Sequence, residues 1–138
     1  MKRMLAIFLL LSLVILSSCD YNAPLRNKMI EHYSDESNYE TFTGTIVKIE
    51  QNSLLTVEIL SSSKGSAETI DSPLEFECSL NHSNVLSVGD TITFTATLAV
   101  FYNGHKKPML SVEKDGVVLE SLEEGKESYL KWIEKTFD

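Results

Sequence analysis

The residue best placed to undergo chemistry is Cys19, which directly follows Leu16-Ser17-Ser18. Ahead of it come the basic pair Lys2-Arg3, the apolar series Met4-Leu5-Ala6-Ile7-Phe8-Leu9-Leu10-Leu11, and further apolar sequence to Leu16. A basic start, an apolar middle and small residues at the end form the layout of a secretory leader, here cut between Ser18 and Cys19. The competing reading of residues 4–16 is an uncleaved membrane anchor. That run is short for a bilayer crossing, which takes about 20 residues.

Leu16-Ser17-Ser18-Cys19 resembles the lipobox of bacterial lipoproteins. The resemblance implies cleavage before Cys19 and a diacylglycerol on its sulfur. It also implies residence at a bacterial cell membrane, lipid-anchored on the extracytoplasmic face. Asp20 resembles the inner-membrane retention signal of lipoproteins in some Gram-negative bacteria. In a Gram-positive cell it carries no such meaning.

The remaining candidates for chemistry are sparse. The three histidines are His32, His82 and His105, and none has a cysteine or second histidine at metal-ligand spacing, so no metal site is expected. His105 lies in Asn103-Gly104-His105-Lys106-Lys107-Pro108, the one basic cluster after the leader, which reads as a solvated hairpin tip within reach of a ligand. The serine-rich stretch 61–66 has no Gly-x-Ser-x-Gly elbow. In Leu74-Glu75-Phe76-Glu77-Cys78-Ser79-Leu80, Cys78 shares the apolar register and reads as a core thiol. Its acidic neighbours oppose the thiolate that reactivity needs. No catalytic residue and no cofactor is expected.

Composition narrows the partners. Of the 138 residues, 120 remain after the leader, enough for one modest core. Losing Lys2 and Arg3 takes the basic count from 12 to 10 against 20 acids, a net charge of −10 with Arg26 as the remaining arginine. Such a surface repels nucleic-acid phosphates and lacks the arginines that read bases, so nucleic acid is not an expected partner. It also repels an anionic lipid surface, and contact with the membrane then rests on the covalent anchor. With Cys19 acylated, Cys78 has no partner for an internal disulfide.

These residues must be positioned by a mostly β chain. Residues 19–38 read as a tether with a short, loosely docked helix over 24–33, where Asn22 offers a cap and Pro24 fits a first turn. Residues 41–50 are β-branched and change phase across Gly44, which suggests a bulge. Leu55, Val57 and Ile59 alternate with Thr56 and Glu58 as the second strand of a hairpin. Residues 61–73 read as a mobile loop, followed by the strand that carries Cys78. Residues 91–100 promise the longest strand, with Ile92, Phe94, Ala96, Leu98 and Val100 inside and Thr91, Thr93, Thr95 and Thr97 outside. A strand over 109–114, the tight turn Asp115-Gly116 and a strand over 117–119 follow. Ser121 and Glu124 form a capping box for a last helix, weakened by Gly125 and expected to bury Trp132.

Five or six antiparallel strands with a bent first strand favour a small closed barrel over 39–120, with the amphipathic helix over 121–138 against it; the alternative is a half-open sheet covered by that helix. Phe42-Thr43-Gly44-Thr45-Ile46-Val47-Lys48-Ile49, Val88-Gly89-Asp90-Thr91-Ile92-Thr93-Phe94 and the strand after Gly104 resemble the OB-fold domains of small bacterial exported proteins of the tRNA-anti-like type. That resemblance implies an OB-like barrel and, by itself, no activity. Barrels of this kind bind across strands two and three and their flanking loops, here Thr56, Glu58, Glu75 and Glu77 with the loop 61–73. The face is acidic and poor in the aromatics that stack on sugars or bases, so a basic peptide, a protein partner or a cation suits it. The expected function is a lipid-anchored binding or accessory module without catalysis. The alternatives are an interaction or inhibitor lipoprotein acting through its C-terminal helix and, weakest, an exported hydrolase.

Overall fold

The computed structural model describes residues 22–51, 53–80 and 85–138. The leader with Ser18 and Cys19, and also His82, lie outside the described residues. Among the described residues, two α-helices and six strands follow in order: α1 (Ala23–Ser34), β1 (Glu40–Ile49), β2 (Leu54–Ser62), β3 (Leu74–Glu77), β4 (Thr91–Ala96), β5 (Ser111–Lys114), β6 (Val117–Glu120) and α2 (Leu122–Thr136). The strands form one antiparallel sheet in the order β3-β2-β1-β4-β5-β6. The chain is therefore mostly β with a C-terminal helix.

The long strand β1 pairs with β2 on one edge and β4 on the other, and its register slips twice, between Thr43 and Gly44 and between Ile46 and Lys48. Gly44 permits the first slip. A Cβ there would stand 2.5 Å from Val57 Cγ1 and 2.7 Å from Glu58 O, so only glycine lets β2 come this close. The expected phase change, however, comes after Ile46 rather than across Gly44. Phe42 and Ile46 are both buried, while Val47 at the second slip is turned out to solvent.

The sheet curves around Phe42, Phe76 and Phe94, whose ring centroids lie 4.8 to 6.2 Å apart. All three are fully buried beside Ile46, Leu55, Val57, Cys78, Ile92 and Val112. Each such side chain contributes about 2–3 kcal/mol by leaving water. β3 and β6 end the sheet and do not pair with each other, so the strand ladder itself is open. One parallel bridge joins Glu77 at the end of β3 to Pro108 ahead of β5.

A second core lies under the helices and was not foreseen. Met29 and Tyr33 of α1 are fully buried against Leu110, Tyr129 and Ile133. The leading helix is thus an integral layer, not a loosely docked part of a tether. β4 is shorter than expected, and its threonines are not all on an outer face. Thr95 and Thr97 are buried, Thr97 bonding His32 of α1 at 2.9 Å and Thr95 accepting from Ser111 Oγ at 2.7 Å. Val100, beyond the strand, is exposed.

The segment 61–73, expected to be mobile, is held by Glu40. One Glu40 oxygen accepts the Lys64 and Ser66 backbone N–H groups at 2.9 and 3.1 Å, and the other accepts Ser66 Oγ at 2.5 Å. Burial pushes the Glu40 carboxyl up, but these bonds outweigh it and hold the group below its ordinary value.

Candidate functional site

A pocket of about 230 Å³ opens where β3, β6 and α2 meet. Each wall has a local cause. At the end of β3, the Glu77 N–H donates to Lys107 O at 2.7 Å and the Glu77 carbonyl accepts Met109 N–H at 2.8 Å. These two bonds seat Pro108 and Met109 beside Glu77 as an apolar wall. The next residue, Cys78, donates its N–H to Ser53 O at 2.7 Å, which brings the β1–β2 turn to the same rim. Ser53 holds a left-handed backbone (φ 61°) in that turn.

The opposite wall follows from the β6–α2 junction. Glu120 is the last residue of β6, and Ser121 then caps α2, its Oγ accepting the Glu124 N–H at 3.2 Å. Glu120 cannot drift, because Ser79 Oγ donates to its carboxylate at 2.7 Å. Gly125 lies one turn into the helix. A Cβ there would stand 1.9 Å from Leu110 O, so glycine at this position lets α2 press onto the sheet and carry Tyr129 and Trp132 to the pocket. Glycine here is a packing requirement as well as a weak helix former.

Trp132 stacks on Tyr129 with centroids 5.2 Å apart and planes 15° apart. The indole was expected to be buried, but it is 39% exposed at the pocket mouth, and Ile133 takes the core position instead. Beneath it, Tyr129 Oη lies 2.9 Å from His105 Nε2, and His105 Nδ1 accepts Phe101 N–H at 3.2 Å. His105 is therefore buried, not a solvated tip. Burial lowers its pKa, with help from Lys107 and His32, while burial drives the Tyr129 phenol upward.

Of the residues singled out from the sequence, Glu77 lines this pocket and His105 supports it from below through Tyr129. Thr56, Glu58 and Glu75 do not line it. Thr56 and Glu75 face each other across β2 and β3, and Glu58 is exposed on β2 opposite Thr45. Glu77 and Glu120 line the same pocket. Sequence reasoning missed Glu120, Ser79 and the outward Trp132, because the approach of the β3 end to the β6–α2 junction leaves no mark on local spacing.

Chemically, the pocket offers two carboxylates, two aromatic rings and the serines Ser53, Ser79 and Ser128. Among the described residues no group of three or more His, Cys, Asp or Glu is placed to hold a metal ion, and no helix is long and apolar enough to cross a membrane. Comparison with protein-family models, with curated proteins and with solved structures found no match for this chain.

Proposed function

We propose that this protein is a lipid-anchored, extracytoplasmic binding module of the bacterial cell membrane, built on an OB-like barrel and without catalytic activity. The anchoring rests on the lipobox-like Leu16-Ser17-Ser18-Cys19. The barrel reading is supported by the order β3-β2-β1-β4-β5 together with the parallel bridge from Glu77 to Pro108, which links the open edge of β3 to the approach of β5. In this reading β6 is an added strand and α2 closes one end.

The observation that carries the binding role is the pocket whose walls come from four separate parts of the chain, with carboxylates on two sides and Trp132 at the mouth. Concave sites with few polar groups among apolar walls are where small groups are held. A hydrolytic reading is weaker, because His105, the histidine that supports the pocket, bonds Tyr129 and the Phe101 N–H rather than a pocket serine. The alternative of an interaction surface on the C-terminal helix merges with the first reading, since Ser128, Tyr129 and Trp132 of α2 line this same pocket.

The anchor and the binding role are tested together. Wild-type protein should incorporate labelled palmitate and sediment with membranes, whereas Cys19→Ala should do neither. Retention of Cys19→Ala on the membrane would remove the anchoring claim. Cross-linking of the native protein on intact cells, followed by mass spectrometry, should recover a reproducible partner, and recovery of nothing reproducible would remove the binding claim.

A further inference from the structure

We propose that the pocket between β3, β6 and α2 receives a lysine or arginine side chain of an extended basic peptide. This rests on the reading of the protein as a binding module and names what is bound. Glu77 and Glu120 are 43 positions apart in sequence and are brought to one cavity by the fold. Among the described residues, neither forms an ion pair with a lysine, arginine or histidine. The ammonium of Lys107 stands 5.6 Å from the centroid of the Phe76 ring and forms no ion pair with either carboxylate.

The geometry points to a cation for three reasons. Two glutamates lining one pocket repel an anion and supply charge-assisted acceptors to an ammonium or guanidinium. Ser79 already donates to Glu120, which leaves the pocket rich in acceptors. Trp132 presents an indole at the mouth, backed by Tyr129, where a cation or its aliphatic stem gains from the ring face. At about 230 Å³ the cavity is smaller than the roughly 300–1,000 Å³ of small-molecule sites, and it suits one side chain reaching in from a larger partner. The net charge of −10 after leader cleavage adds long-range attraction for a basic peptide.

Trp132 is the sole tryptophan of the chain, so its emission reports on the site directly. Full-length protein in detergent, titrated with an acetylated, amidated trilysine peptide, should show a saturable change in that emission. The affinity should fall on the order of tenfold in Glu77→Gln and again in Glu120→Gln, each the loss of a hydrogen bond to a charged group. Both variants keep side-chain shape, and unchanged far-ultraviolet dichroism and melting temperature establish that they fold. A triglutamate peptide should have no effect. A saturable trilysine response that both variants keep unchanged would overturn the proposal, as would no response. Equal binding of spermidine would overturn the peptide as occupant, and equal binding of a neutral chito-oligosaccharide would overturn the cation. A partner captured on cells by wild type and by both variants alike would overturn this site assignment while leaving the binding module standing. Loss of capture in the variants supports it.

Discussion

His105 is locked in one tautomer by Tyr129 and the backbone. Its Nδ1 accepts the Phe101 N–H at 3.2 Å, so the ring proton sits on Nε2 and is donated to Tyr129 Oη at 2.9 Å. Protonating Nδ1 would set two N–H groups against each other. Burial, then Lys107 and His32, lower the pKa from the ordinary 6.5. His32 shifts the same way, with burial the main cause and Asp35 opposing it.

The sign of the pH dependence follows. In the unfolded chain both histidines take a proton near 6.5, and in the native chain only at lower pH. Their contribution to stability is complete above 6.5 and is lost as pH falls from there through the native values. Urea midpoints should hold steady above neutrality and decline below it. His105→Gln should lower stability at neutral pH by about 1–3 kcal/mol, through loss of a buried hydrogen bond, and flatten that decline. An unchanged slope in the variant would rule out His105 as a source.

Much of this was legible locally. The Ser121 cap, the Asp115-Gly116 turn and the alternation that buries Phe76 and Cys78 are written in neighbouring residues, and each has its counterpart in the structure. What failed was the choice between two neighbouring positions and the nonlocal contacts. Trp132 and Ile133 both fit the apolar stripe of the last helix, and the expectation buries Trp132. Yet the buried face of α2 is set by Gly125, Tyr129 and Ile133 at steps of four residues, and Trp132 lies about 100° around the helix from Ile133. The helix α1 was legible as a loosely docked one but the depth of its burial was not, since its apolar residues are few and their partners Leu110 and Tyr129 lie far along the chain. Glu77 and Glu120 sit on strands at opposite ends of the sheet order, and the contact of Ser79 with Glu120 that brings them to one pocket is equally nonlocal.

Gly125 gives a prediction in which propensity and packing oppose each other. Alanine would favour the helix by roughly 1 kcal/mol. Its Cβ, however, would stand 1.9 Å from Leu110 O, a backbone atom that cannot swing aside. Gly125→Ala should therefore destabilise by about 1–3 kcal/mol and alter Trp132 emission as α2 is pushed off the sheet. Lys131→Ala, on the exposed face of the same helix, should change little. A stabilised Gly125→Ala would mean that α2 does not pack as closely as described.

Glu40 predicts the behaviour of the loop it holds. Its carboxylate accepts from Lys64 N, Ser66 N and Ser66 Oγ, and an amide would turn a donor toward these donors. Glu40→Gln should cost about 1–3 kcal/mol and raise the rate of tryptic cleavage after Lys64, followed by gel and mass analysis. Because this carboxyl is held below its ordinary 4.5, its contribution is present above that value and lost as pH falls through the lower native one. That acid transition is separate from the histidine one. If cleavage after Lys64 is equally fast in wild type and variant, the carboxylate is not the anchor.

Cys78 and Cys19 make a joint prediction about thiol count. Cys78 is buried in the sheet core and its N–H is held by Ser53 O, so a maleimide has no approach until the sheet opens. In the proposed mature protein the Cys19 sulfur carries lipid and cannot react at all. Native protein purified from membranes should thus take up no label, and after denaturation should take up one equivalent, at Cys78. A second equivalent would show an unacylated Cys19, whereas labelling of Cys78 under native conditions would place that thiol outside the core. Cys78→Ser puts a hydroxyl among Phe42, Phe76 and Phe94 and should cost about 1–3 kcal/mol, while leaving palmitate incorporation at Cys19 intact. Loss of both in this variant would tie acylation to the folded domain rather than to the leader.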